Sequence, residues 1–123
     1  MVRIDPLVWD EEVGRFAHGA PARLAAERER RLLEGEGIEL TSLLPCEAEG
    51  ARGTRLDQLV KAYVPIGDRP PSERPFGFVL SPEHGREGPY LELVAFGERH
   101  PTKGIRSVYE RAHKRLHGHY TYL

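Results

Sequence analysis

The run PYLELVAFGE, residues 89–98, is apolar on both of the faces a strand would present, Glu92 excepted. Successive side chains along a strand point to opposite sides. A strand with no wet side therefore lies inside a sheet that is covered above and below. This one run requires a sheet, and it requires the rest of the chain to supply a layer on each face. Two further segments carry strand character. LVKAYVP (59–65) is rich in β-branched and aromatic residues and stops at a proline. RPFGFVLSP (74–82) alternates, placing Phe76, Phe78 and Leu80 on one side. The connections IGDRPPSE and EHGREG are short, which favours an antiparallel meander. IELTSL (Ile38–Leu43) offers a fourth strand, and residues 45–57, PCEAEGARGTRLD, read as a polar loop.

The covering layers come from helices. In WDEEVGRFAHG, Asp10 can cap, and Trp9, Val13 and Phe16 recur at helical spacing. Pro21 suits a first helical turn, and the segment to Gly35 is built of good helix formers. Leu24, Ala25, Leu32 and Leu33 give it a narrow apolar side, and its ERERR centre pairs opposite charges. At the other end, Ile105, Val108, Tyr109, Ala112 and Leu116 form the stripe of an amphipathic helix, with Thr102 as its N-cap. The expected class is α+β: two N-terminal helices, an antiparallel sheet of three to four strands, and a C-terminal amphipathic helix. A length of 123 residues suits a single domain over 1–123 with one well-filled core.

Composition narrows the setting. No segment approaches the roughly 18 apolar residues of a membrane helix, and MVRIDPLVWDEE carries acids where a signal peptide would be basic. A lone cysteine, Cys46, cannot close an internal disulfide, which points to a reducing cytoplasm. Its acidic neighbours disfavour a reactive thiolate. The formal charge of −1 hides an asymmetry. Residues 1–58 hold 8 basic and 12 acidic side chains, a net of −4, and residues 59–123 hold 10 and 7, a net of +3. From Phe96 onward, six basic residues face two acids, and four of the six histidines lie there too. Clustered cations set a local field whatever the total, so this part expects an anionic partner.

The strand RPFGFVL, the strand and turn YLELVAFGERHPTKG, the helix IRSVYERAHKRL and the strand LDQLVKAYVPIG together resemble the RelE/ParE toxin superfamily, particularly its phage-related HigB-like branch. The likeness covers about residues 56–117, and the N-terminal helices agree with it in type. It implies a toxin of a type II toxin–antitoxin pair that cleaves messenger RNA at the ribosome, with a cognate antitoxin as partner. It also carries a departure, since such toxins are usually basic and this chain is slightly acidic.

The residues themselves indicate where such chemistry would sit. Cleavage through the 2′-hydroxyl needs a proton acceptor, cations for the phosphate, and a proton donor for the departing 5′ oxygen. Glu98 to Lys103 form a polar turn between a buried strand and a helix. There Arg99 and Lys103 can hold phosphate oxygens, and His100 can move a proton. Arg106 lies off the apolar stripe beside that turn and is a further phosphate ligand. Some RelE-like toxins end in a His-Tyr pair, which the resemblance carries to His119 and Tyr120. Lys61 and Tyr63 share one face of their strand. Left open, that face is a platform for phosphate and base; covered, Tyr63 is core and Lys61 reaches for the edge. Arg111, Lys114 and Arg115 suit broad contact with a nucleic-acid backbone or an acidic antitoxin tail. His113 and His117, four apart, read as a surface pair among cations, without the glutamate of a metalloprotease helix, so no metal or other cofactor is expected. Two alternatives stand beside the nuclease: a ParE-like toxin that binds gyrase without catalysis, and a non-toxic nucleic-acid or protein interaction module.

Overall fold

A computed structural model describes residues 2–35, 44–45, 59–67, 70, 73–102 and 104–117. The expected strand at Ile38–Leu43, together with Cys46, Lys103, His119 and Tyr120, lies outside them. In chain order the elements are β1 (Val2–Arg3), α1 (Pro6–Glu12), α2 (Pro21–Gly35), β2 (Leu44–Pro45), β3 (Val60–Val64), β4 (Phe76–Gly85), β5 (Gly88–Glu98) and α3 (Val108–His117). They form an α+β fold around one sheet of order β1-β5-β4-β3-β2. β3 to β5 pair antiparallel, as the short connections imply, and β2 pairs antiparallel with β3. β1 adds a short parallel strand at the edge of β5, pairing Val2 with Leu91 and Arg3 with Glu92; two residues are too few for a periodic signal to register.

The doubly apolar run behaves as its pattern demands. On one face of the sheet Phe78, Leu80, Leu93, Phe96, Ala62 and Val64 pack with Val13 and the α2 residues Ala22, Ala25, Ala26 and Leu33. On the other, Val79, Val94 and Ala95 pack with Leu59 and the α3 residues Val108, Tyr109 and Ala112. Pairing shifts register between Val79 and Leu80, since Val79 faces Ala95 and Leu80 faces Leu93. Val94 is the extra residue of that bulge, which lets Val94 and Ala95 both serve the α3 side. The first face is aromatic: Phe96 lies 5.1 Å from Phe78, 5.7 Å from Phe76 and 5.5 Å from Phe16 between ring centroids. Such pairs add about 0.5–1.5 kcal/mol each beyond their area burial.

The helix ends differ from expectation. α1 begins at Pro6 and is capped by Asp5, whose Oδ1 accepts from the Leu7 N–H at 2.8 Å, so Asp10 is not the cap. Proline at the first helical position lacks an N–H that would be unsatisfied there anyway, which makes Asp5-Pro6 the stronger start. In α2 the buried stripe is Ala22, Ala25, Ala26 and Leu33, while Leu24 and Leu32 are exposed. Small residues let the helix sit close on the aromatic layer, while Leu32 lies about 80° round the helix from the centre of that stripe and Leu24 about 160°, nearly opposite it. α3 starts at Val108 behind a capping box. Ser107 Oγ accepts from the Glu110 N–H at 3.1 Å, and Glu110 Oε1 accepts from the Ser107 N–H at 3.2 Å. Thr102 therefore does not cap it. Ile105 precedes the helix and is exposed, as is Leu116, and His113 joins the buried face in their stead.

β1 covers only the first part of the β5 edge, and side chains close the rest. The Phe96 N–H donates to Glu12 Oε1 at 3.1 Å, Arg15 Nη1 donates to the Phe96 carbonyl at 2.9 Å, and Arg115 Nε donates to the Val94 carbonyl at 2.8 Å. Unpaired strand edges invite pairing with other chains, so this closure also protects the sheet. Gly97 leaves the space that Arg15 uses, because a Cβ there would lie 2.8 Å from Arg15 Nη2. Among the described residues, no helix is long and apolar enough to cross a membrane.

Candidate functional site

On the α3 side of the sheet, at the end where β3 and β5 finish, cations and phenols converge. β3 alternation puts Lys61 and Tyr63 on this face, opposite Val79 and Gly77 of β4. Arg99 follows β5, and Tyr109 comes from the first turn of α3. The Arg99 guanidinium lies over Tyr63, with Cζ 3.6 Å from the ring centroid. Its Nη1 donates to the Arg74 carbonyl at 2.8 Å and its Nε to the Tyr109 hydroxyl at 3.3 Å. Its backbone N–H donates to the Pro75 carbonyl at 2.7 Å, which holds the start of the polar turn against the sheet. Lys61 Nζ sits 5.4 Å from the Tyr63 centroid and 5.7 Å from that of Tyr109.

Burial gives this geometry its electrostatic meaning. Lys61 is 4%, Arg99 6% and Tyr109 3% exposed, and Tyr63 is half-buried. Among the described residues no carboxylate pairs with Arg99; its partners are a carbonyl, a phenol and an aromatic face. Fixed positive charge away from water acts on an anion far more strongly than the same charge in bulk solvent. Tyr109 titrates above the usual phenol range, because burial outweighs the opposing hydrogen bond from Arg99 and the charge of Lys61. At neutral pH it is a phenol that keeps its proton.

The predicted site residues separate into groups. Lys61, Tyr63 and Arg99 come together, but Lys61 is buried rather than open, and the Tyr63 face is occupied by Arg99 rather than clear for a base. The strand face is covered because α3 packs over it. His100 follows Arg99 and is exposed. Arg106 is exposed, stands just before the N-cap Ser107, and pairs with Glu110 Oε2 at 3.7 Å. Arg111 and Arg115 belong to a different centre. Arg111 grips Glu12 with two bonds of 2.9 and 2.7 Å, and Arg115 contacts Glu12 at 3.1 Å and Glu11 at 2.5 Å. These two arginines join α3 to α1 instead of facing outward as a phosphate-binding array. Lys114 is exposed and lines the cleft between the same helices with Glu11, Glu12, Arg111 and Arg115. His113 is buried rather than a surface residue, and its ring lies 4.6 Å from that of the exposed His117.

Sequence reasoning misses four residues. Tyr109 reads as core alone, although it belongs both to the core and to the cation cluster. Arg74 and Gly77 carry no periodic signal. Glu12 does carry one, since it occupies the fourth place of the Trp9, Val13, Phe16 stripe, at i+3 from Trp9. An acid in an apolar stripe implies a buried carboxylate with cationic partners. Burial alone would raise its pKa, but Arg111, the Phe96 N–H and Arg115 outweigh that and hold the carboxyl below its ordinary value. No protein-family model, curated protein or solved structure matches the chain.

Proposed function

We propose that this protein is a toxin-like endoribonuclease of the RelE/ParE kind, with the Lys61, Tyr63, Arg99 and Tyr109 cluster as its phosphate site. The observation that carries the proposal is the buried Arg99 guanidinium, whose described partners are all uncharged. A phosphodiester would supply the negative charge that those partners lack. The 2′-hydroxyl of one nucleotide attacks the adjacent phosphorus, the bond to the 5′ oxygen breaks, and a 2′,3′-cyclic phosphate and a free 5′-hydroxyl result. Arg99 and Lys61 counter the charge that grows on the non-bridging oxygens. His100, exposed beside Arg99, accepts the 2′-hydroxyl proton. Tyr109, which retains its own proton, hydrogen-bonds the phosphate and can donate to the departing oxygen. A nucleic-acid strand meets the half-buried Tyr63 and Arg74 before the inner charges. The resemblance adds the ribosome and an antitoxin as partners.

The test is cleavage of single-stranded RNA by the purified protein in a chelator, with and without ribosomes. The expected products end in 2′,3′-cyclic phosphate and 5′-hydroxyl. Arg99→Ala should slow cleavage by about a hundredfold or more, the scale of losing one fixed donor to a developing oxyanion, and His100→Ala should slow it as well. Undiminished cleavage by both folded variants would falsify these roles. Binding without cleavage by the wild type would select a non-catalytic toxin or an interaction module instead.

A further inference from the structure

Gly77 occupies the middle of the sheet, buried in β4 and paired with Tyr63 on one side and Gly97 on the other. Glycine weakens a strand, having no side chain to pack and more freedom to lose on folding. Nothing in its backbone demands glycine, because the described glycines with positive φ are Gly19, Gly67, Gly88 and Gly104. The reason lies in the space above it. A Cβ at this position would lie 3.4 Å from Arg99 Cγ, 3.6 Å from Arg99 Cδ and 3.3 Å from the Ala62 carbonyl oxygen. The aliphatic stem of Arg99 thus runs directly across the bare α-carbon. That path brings the guanidinium over the ring of Tyr63, the cross-strand neighbour of Gly77.

We infer that Gly77 is a positioning residue for the anion site: its missing side chain is the floor on which Arg99 lies, and a side chain larger than a methyl group there lifts the guanidinium away from Tyr63 and Tyr109. The inference rests on the proposed phosphate site for its functional consequence, but the positioning itself can be observed separately. Glycine at 77 gives up strand stability and gains a fixed guanidinium orientation. A guanidinium free to swing would satisfy the same net charge without presenting its donors in one direction.

Two measurements on Gly77→Val, with Gly77→Ala as the small-side-chain control, test this. In the wild type, the Arg99 Nε–H proton resonance should be displaced upfield by the Tyr63 ring current. Gly77→Ala should keep that displacement and Gly77→Val should lose it, each with a cooperative melt retained. Affinity for a short single-stranded RNA whose 2′-hydroxyls are methylated should fall about tenfold in Gly77→Val, the scale of one weakened charge-assisted hydrogen bond. The double variant Gly77→Val/Arg99→Ala should bind no more weakly than Arg99→Ala alone, because both substitutions remove the same interaction. An unchanged Arg99 resonance in the folded valine variant, or losses that simply add, overturns the inference. Failure of the wild type to bind RNA overturns the phosphate site, and the resonance then decides the role of Gly77 alone.

Discussion

At the scale of single residues, Glu12 does more for the fold than its single charge suggests. Its carboxylate receives Arg111, Arg115 and the Phe96 N–H, so it ties α1 to α3 and to the open edge of β5. Removing one member of a buried ionic network leaves the others desolvated and uncompensated, at a cost of about 3–5 kcal/mol. Glu12→Gln should therefore lower unfolding stability in urea by an amount of that order at neutral pH. The pH dependence has a definite sign. The folded pKa of Glu12 is depressed, so its contribution is complete above the unfolded value and is lost as pH falls through the folded one. The stability gap between wild type and Glu12→Gln should be widest near neutrality and shrink on acidification; a gap that grows in acid would contradict the assigned network. The stripe makes Glu12 legible in the sequence, since an acid among Trp9, Val13 and Phe16 is carried into the core with them and must find cations there. Arg99 is legible as a functional candidate but not as a buried one. Its stem is buried across the bare α-carbon of Gly77, in the neighbouring strand β4 and 22 positions back in the chain. No local pattern encodes that.

At the scale of elements, the strands are legible from alternation, and the observed β3, β4 and β5 fall within the expected segments or extend slightly beyond them. Helix starts are harder to read because several capping residues compete in each region. Asp5 precedes Asp10, and Ser107 follows Thr102. In both cases the observed cap has the better supporting partner, Pro6 after Asp5 and Glu110 three residues after Ser107. The α3 assignment makes a contrast that a pair of variants can test. Ser107→Ala should cost about 1 kcal/mol, the usual worth of an N-cap, whereas Thr102→Ala, exposed and outside the helix, should leave the denaturation midpoint essentially unchanged. The reverse ranking in urea titrations would show that the helix begins earlier. Proper placement of this cap matters for the candidate site, because Tyr109 is the second residue of α3 and meets Arg99 only in this helical phase.

At the scale of the whole molecule, the fold is a sheet with one hydrophobic cluster on each side, α1 and α2 covering the aromatic face and α3 the other. The basic bias of the C-terminal segment, which reads in the sequence as a field directed outward, is in good part engaged by partners within the chain. Arg111 and Arg115 hold the acidic α1, Arg106 holds Glu110, and Arg99 enters the phenol cluster. The opposite charges of the two halves thus meet each other across the α1–α3 contact. The proposed polyanion site is therefore compact, centred on Arg99 rather than spread along α3. The most direct measurement is the affinity of methylated single-stranded RNA for the wild type, for Arg99→Ala and for Arg28→Ala, an exposed arginine on α2 that serves as the charge control. The account predicts at least a roughly tenfold loss in the folded Arg99→Ala protein and little change in Arg28→Ala. Equal weakening by both substitutions, or none by Arg99→Ala, would contradict it.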